Sequence, residues 1–351
     1  MTDHFGDPFR EQRALARGDA VVMRNECGVI RLSGRDRLTW LDSLVSQEVA
    51  GLAAGESAEA LLLDPNGRIE RVMRILDDGT NSWILVDADS AGLASWLDRM
   101  VFRRDVDVAD VSDAFTVVGF FDGGRATTAL APLTAAPNGV PLTWVDPWSS
   151  VASGGWQYSS PAGHPALDWT YREALLEATA PTTGLPEPAG TLALTALRVA
   201  AWRPALADVD ETSLPHEFDW LRSAVHLSKG CYRGQETVAK VHNLGHPPRR
   251  FVALDLDGSD TTLPESGWTV ALADDPEKSV GHVTSAARHF EEGPIALGLV
   301  KRSVPADAAL VVRSPEGGVV AARQTTIVPS DAGKTLDVPR IKRDRVRPTR
   351  S

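Results

Sequence analysis

The chain is poor in the residues that declare a chemistry at a glance. Cysteine occurs twice in 351 residues, at Cys27 and Cys231. Two thiols so far apart make no disulfide framework and match no zinc spacing, so the expectation is free thiols in a reducing compartment. His216, His226, His242 and His246 match no known metal-binding helix motif, and no metal ligand is assigned. No apolar run approaches the ~20 residues that a bilayer span needs. The opening stretch, MTDHFGDPFREQRALARGD, carries acids and no apolar core, which argues against a secretory leader. Soluble, cytoplasmic and without membrane contact is the expectation. Basic residues are also short, 36 Lys and Arg against 47 Asp and Glu, a net charge of −11 that disfavours stable nucleic-acid binding. The exception is the C-terminal run PRIKRDRVRPTRS, read as part of a basic, solvated tail over 331–351.

What is present is ordinary globular material. A hydrophobic fraction of 43% over this length is enough for two or three cores. CGVIRLSG (27–34) reads as a strand, and RDRLTWLDSLVSQ (35–47) as a helix with Leu38, Leu41, Leu44 and Val45 at helical spacing. EALLLDPNGRIERVMRIL (59–76) reads as two strands around Asp64-Pro-Asn-Gly67, because Pro presets φ and Asn-Gly accepts positive φ. A strand at 82–88, a helix at 90–103 and a further strand complete an α+β unit. Residues 131–165, rich in Pro, Gly, Ser and Trp, form a loop-rich seam. Helical patterns follow at ALDWTYREALLEATA (166–180) and at GTLALTALRVAAWRP, which stops at Pro204. After Pro248 short strands between Gly, Pro and Asp turns suit a small barrel or sandwich.

The densest chemistry lies in KGCYRGQE, residues 229–236. Gly230 and Gly234 allow a tight path, and GQETVAKV reads as a short helix. Cys231 then sits just before a helix N-terminus, with Lys229 and Arg233 beside it. All three influences favour thiolate, and Glu236 opposes them. A buried, inert thiol is the plain alternative. The polar surroundings favour a reactive one: a nucleophile, a redox thiol or a transient ligand for a soft metal or cluster. Cys27, opening an apolar strand, is read as structural.

KGCYRGQE resembles the signature of the YgfZ family of folate-binding proteins, relatives of the glycine-cleavage T-protein and of a mitochondrial iron–sulfur assembly factor. LSGRDRLTWLDSLVSQEVAGLAAGESAEALLLDPNGRI and GHVTSAARHFEEGPIALGLV resemble the N-terminal and C-terminal patterns of the same group. The likeness covers most of 25–325. It implies an α+β fold with three domains in a ring: antiparallel sheets with flanking helices over a folate-binding region at 1–246, and a β-barrel at 247–330. It also implies tetrahydrofolate, or a derivative, in the central channel.

The resemblance further implies roles. Cys231, with Lys229 setting its charge, would be the active thiol. Arg198 would meet a folate carboxylate. Tyr232, Arg233, Gln235 and Glu236 would contact the ligand, Glu217 and Trp220 would line the channel, and Asp64 and Asn66 are further candidates in the hairpin turn. Where the T-protein has a pair of aspartates after its Gly-Gly, this chain has Glu70 and Arg71. Where it has a pterin-holding glutamate, LRVAAW puts Ala200. Both departures remove groups suited to proton transfer and pterin recognition. The resemblance therefore points to an accessory factor for assembly or repair of iron–sulfur clusters, transiently meeting cluster enzymes such as tRNA-modifying radical enzymes. The alternative is a folate-dependent aminomethyltransferase or demethylase.

Overall fold

A computed structural model describes residues 2–259 and 262–336, so most of the expected basic tail lies outside the described residues. Helix α1 (Pro8–Ala16) starts where Asp7 accepts the N–H groups of Phe9 and Arg10 and Pro8 fills the first turn. The chain continues through β1 (Ala20–Met23), β2 (Cys27–Ser33), α2 (Arg37–Asp42), β3 (Ser57–Leu63), β4 (Ile69–Asp77), β5 (Ser82–Asp87), α3 (Ser90–Met100) and β6 (Asp107–Asp110). Next come β7 (Phe115–Phe121), α4 (Arg125–Leu130), β8 (Thr143–Val145), β9 (Tyr171–Glu177), β10 (Glu187–Pro188), α5 (Thr191–Ala200) and α6 (Gln235–Leu244). The last six strands are β11 (Arg249–Leu256), β12 (Thr269–Leu272), β13 (Asp275–His289), β14 (Gly293–Lys301), β15 (Leu310–Arg313) and β16 (Val319–Thr326).

These strands form two open sheets and a barrel. The first sheet has the order β3-β4-β5-β2-β6, the second β10-β1-β7-β9-β8, and β11 to β16 close into a six-stranded barrel. Closure pairs β16 with β11 and leaves no free edge. The fold is thus α+β, with helices flanking mostly antiparallel sheets.

Strand alternation explains how the layers meet. One face of the first sheet, including Ile30, Leu62, Met73 and Ile84, packs on Trp40 and Leu41 of α2 and Leu93 and Leu97 of α3. The opposite face, with Val29, Leu61, Val72 and Leu85, joins a larger core that takes in Val117 and Leu175 of the second sheet and Phe251 of the barrel. With both faces covered, β3–β5 are almost continuously buried.

Two expected helices change on folding. Residues 166–180 are no helix: a short 3-10 turn (Pro165–Asp168) leads into β9, which pairs with both β7 and β8. Ala, Leu and Glu favour helix locally, but Leu175 and its neighbours Ala174 and Leu176 fill cores on opposite faces of the sheet, and that burial overrides propensity. The helix expected over 35–47 stops at Asp42. Beyond it the carbonyls of Asp42, Val45 and Gln47 turn towards the ammonium of Lys229 instead of continuing an i to i+4 ladder.

Candidate functional site

A cavity of about 580 Å³ lies between the two open sheets and α5. Trp144, Trp169, Val72, Leu194 and Leu206 give it apolar walls, while four arginines (Arg24, Arg74, Arg198, Arg203) face five carboxylates (Glu26, Glu59, Asp87, Asp146, Glu173). An apolar hollow with a few placed polar groups is the usual form of a small-molecule site.

The charges form two networks. Arg24, in the connection from β1 to β2, reaches Glu26 at 2.6 Å, Asp87 of β5 at 2.9 Å and Glu173 of β9 at 2.7 Å, and also meets the Tyr171 hydroxyl at 3.1 Å. Burial disfavours its charge, but Tyr171, Glu173 and Asp87 outweigh that and hold the proton more firmly than usual. Arg74 grips Asp87 through two N–H groups, at 2.7 and 3.0 Å. Burial opposes the charge of Asp87 as well, yet Arg74 and Arg24 prevail and keep the carboxyl well below its ordinary range. Arg74 also donates to the Cys27 sulfur at 3.0 Å. Burial nonetheless pushes that thiol up to about 12, against the pull of Arg74. Arg74 Nε also lies 2.8 Å from Glu173 Oε2, an ion pair that ties β4 to β9.

In the second network Arg203 bridges Glu59 at 2.6 Å and Asp146 at 3.0 Å. Glu59 Oε2 also accepts from Ser223 at 2.9 Å and from the Trp220 indole at 3.2 Å. Even so, burial outweighs Arg203 and raises the affinity of Glu59 for a proton.

The residues singled out from the sequence lie in several places. Arg198 lines the cavity; it pairs with Asp208 at 2.7 Å and donates to the Arg203 carbonyl and Ser285 hydroxyl, leaving two of its five N–H groups for a ligand. Trp220 is buried behind the wall, its indole spent on Glu59. Glu217 is buried away from the cavity, pairing with Arg249 at 2.8 Å and capping the N–H of Leu214. Asp64 accepts the N–H groups of Asn66 and Arg68 and so braces the hairpin turn. It borders a second cleft of about 520 Å³, along with Glu70, Arg71 and Trp96.

KGCYRGQE packs on that turn. Lys229 points inward: its ammonium collects the carbonyls of Asp42, Val45 and Gln47 and lies 2.9 Å from the Asp42 carboxylate. It also sits 5.6 Å from the centre of the buried Tyr232 ring, a cation–π contact. Arg233 pairs with Glu70 at 2.7 Å and covers the face of Trp96. Gly234 has φ 83°, and a Cβ there would stand 2.6 Å from the Asp64 carbonyl oxygen. Gln235 reaches back towards the Lys229 carbonyl at 3.4 Å, and Glu236 is exposed in the first turn of α6. Cys231 is exposed and does not line the central cavity. The thiol and the cavity are linked through the protein: Lys229 holds the 42–47 segment, Gln47 donates to the Ser223 carbonyl, and Ser223 donates to Glu59.

Apart from Arg198, the charged lining was not singled out from the sequence. A signal existed. Glu59 in AEALLL, Arg74 in RVMRIL and Glu173 in YREALLE are charges within otherwise apolar strands, and a buried charge demands a partner. Among the described residues no cluster of His, Cys, Asp or Glu is suited to a metal ion, and no helix is long and apolar enough to cross a membrane.

The fold is that of the glycine-cleavage aminomethyltransferase. The enzyme from Bartonella henselae matches with a TM-score of 0.70 over 94% of this chain and 91% of that one, at 15% identity, a likeness of fold alone. No family model matches the chain. In sequence the chain is 24% identical over 330 residues (86% of it and 70% of the relative) to a chloroplastic Arabidopsis thaliana protein provisionally named as a transferase. It is 27% identical over 259 residues to a mitochondrial "iron-sulfur cluster assembly factor IBA57 homolog" of Mycosarcoma maydis, covering 68% of this chain and 58% of that protein. Its homologues thus include an iron–sulfur assembly factor beside a transferase-named protein, consistent with the YgfZ and T-protein resemblance. The lining fits the folate which that resemblance implies in one respect: Arg198 keeps two N–H groups that could meet a carboxylate.

Proposed function

We propose that this protein binds a tetrahydrofolate in the central cavity and serves the assembly or repair of iron–sulfur clusters, with Cys231 as its reactive thiol. In this reading the clusters are cargo of client enzymes, tRNA-modifying radical enzymes among them, met transiently in the cytoplasm. The observation that carries it is the state of KGCYRGQE: Lys229, Tyr232, Arg233 and Gly234 are engaged in packing and ion pairs, while the one chemically soft group, Cys231, is left exposed. The likeness to an assembly factor supports the same assignment. Within the cavity, Arg198 is the group for a folate carboxylate, and the apolar wall that includes Val72, Leu194 and Leu206 suits a ring. Glu217, Trp220, Asp64, Asn66, Gln235 and Glu236 act in this reading through the scaffold.

A folate-dependent transfer to or from an amine is the second reading. One observation favours it: Glu59, fully buried at the cavity, has a carboxyl whose proton affinity is raised, the property of a proton-transfer group. Against it, β4 presents Val72 and Arg74 to the cavity, and Glu70 is bound to Arg233 at the other cleft. Complementation of a strain lacking its own family member separates the two. Wild type should restore cluster-enzyme activity, and Cys231→Ala should not. Methyl or aminomethyl transfer to tetrahydrofolate that persists in Cys231→Ala would establish the second reading instead.

A further inference from the structure

This inference rests on the folate reading and concerns what aims Arg198. We propose that Asp208 and Ser285 are positioning residues: they hold the Arg198 guanidinium so that one edge, Nε–H beside the second Nη2–H, is a fork for a ligand carboxylate, which makes the barrel part of the binding site. The other three arginines of the lining are spent on its carboxylates. Arg24 pairs with Glu26, Asp87 and Glu173, Arg74 with Asp87 and Glu173, and Arg203 with Glu59 and Asp146. Among the described residues Arg198 has one ion pair, with Asp208, which is buried outside the lining.

Helix α5 presents Thr191, Leu194, Thr195 and Arg198 to the cavity, the i, i+3, i+4, i+7 row of one face. Arg198 Nη1 spends both its N–H groups, on the Arg203 carbonyl at 2.8 Å and on Asp208 Oδ2 at 2.7 Å. Nη2 donates to the Ser285 hydroxyl at 2.6 Å, and Ser285 donates onward to Asp208 Oδ1 at 2.5 Å. Carboxylate and hydroxyl thus close the Nη1–Nη2 end as a pair. The two N–H groups left over leave the planar guanidinium side by side, the geometry that takes a carboxylate through two parallel bonds. Nε meets no acceptor among the described residues, yet it is not sealed from solvent, unlike the Nε atoms of Arg222 and Arg250. The barrel's contribution depends on a break in strand register. Val283 pairs with Gly298 and Ser285 with Leu297, so Thr284 is the extra residue of a bulge. Val283 and Ala286 pack in the barrel core, whereas Ala287 packs in the large core outside it. Regular alternation would have kept position 285 on the face of Val283. The bulge turns Ser285 outward, onto Asp208 and Arg198.

The test is isothermal titration of the full chain with two ligands: 5-formyltetrahydrofolate, and its diamide, in which both glutamate carboxylates are carboxamides. The wild type should bind the acid about tenfold more tightly, the worth of charge-assisted bonds over neutral ones. In Ser285→Ala, with folding confirmed by a thermal melt, that preference should fall to about threefold or less while the diamide Kd stays within about twofold of the wild-type value. Ser285→Thr, which keeps the hydroxyl, should keep the preference. A merely structural role would weaken both ligands alike and leave the ratio unmoved. Should Ser285→Ala not fold, Ser285→Cys, a poorer hydrogen-bonding group, is measured in the same way. Equal binding of acid and diamide by the wild type overturns the fork and leaves the folate reading standing. An undiminished preference in the Ser285 variant overturns the role of the barrel. No binding of either ligand overturns the folate reading and this inference with it.

Discussion

Replacing Arg203 by methionine tests the cavity's construction. Arg203 stands between two buried carboxylates, Glu59 at 2.6 Å and Asp146 at 3.0 Å, and its guanidinium lies over Trp148. Methionine keeps much of the packing volume and removes the charge. Asp146 then retains two donors, the Trp169 indole and the Trp148 N–H, and Glu59 retains two, Ser223 and the Trp220 indole, but both lose the cation between them. Breaking a buried pair in this way costs about 3–5 kcal/mol. Burial already raises the Glu59 carboxyl, and loss of Arg203 raises it further. A carboxyl whose folded-state pKa exceeds its unfolded value contributes fully at pH below the unfolded value, about 4.3, and loses that contribution as pH rises through the folded one. Arg203→Met should therefore be most impaired at neutral pH and recover in part towards pH 4.5. The double variant Glu59→Gln/Arg203→Met, with no charge left to strand at position 59, should be more stable at pH 7 than the single one. Urea unfolding followed by tryptophan emission at pH 4.5 and 7 measures all three proteins. A loss below about 1 kcal/mol, or a double variant worse than the single one at pH 7, would refute the argument that Glu59 is a desolvated charge held by Arg203.

The two thiols should differ sharply in native protein. Exposed Cys231 should react readily with an aromatic disulfide reagent, while Cys27, half-buried, bound by Arg74 and with its thiol pushed up to about 12, should react only on unfolding; fast release of two equivalents at pH 8 would contradict this. Gly234→Ala places a Cβ 2.6 Å from the Asp64 carbonyl oxygen in a left-handed backbone, and should cost about 1–3 kcal/mol with a matching fall in Tm. Lys229→Met strips the charge that three carbonyls share; it should lose about 3 kcal/mol and deprotect the amides of 43–50 in hydrogen exchange, and unchanged protection there would show that the lysine does not order that segment.

What could be read in advance was mostly local. Asp64-Pro-Asn-Gly67 defines its turn by its own dihedral preferences, and Gly67 indeed has φ 78°. The barrel strands show themselves through short apolar stretches between turn residues. β9 was hidden because its helix-forming composition says nothing about the neighbours on either side. The cavity was hidden for the same reason: Glu59, Arg74 and Glu173 are far apart in sequence, and only strand pairing and sheet packing bring them to one wall. KGCYRGQE was conspicuous, yet the reason for most of its letters, a dock against the β3–β4 turn and the 42–47 segment, depends on partners more than 150 residues away in the chain.

The inward-facing lysine has a consequence for comparing such proteins. It rivets the octapeptide to a remote stretch of chain, so selection for shape alone can preserve most of the spelling. A relative that kept the other seven letters and exchanged only the sulfur would still assemble the same platform. Such a sequence would be a ready-made knockout, with the architecture retained and the chemistry subtracted.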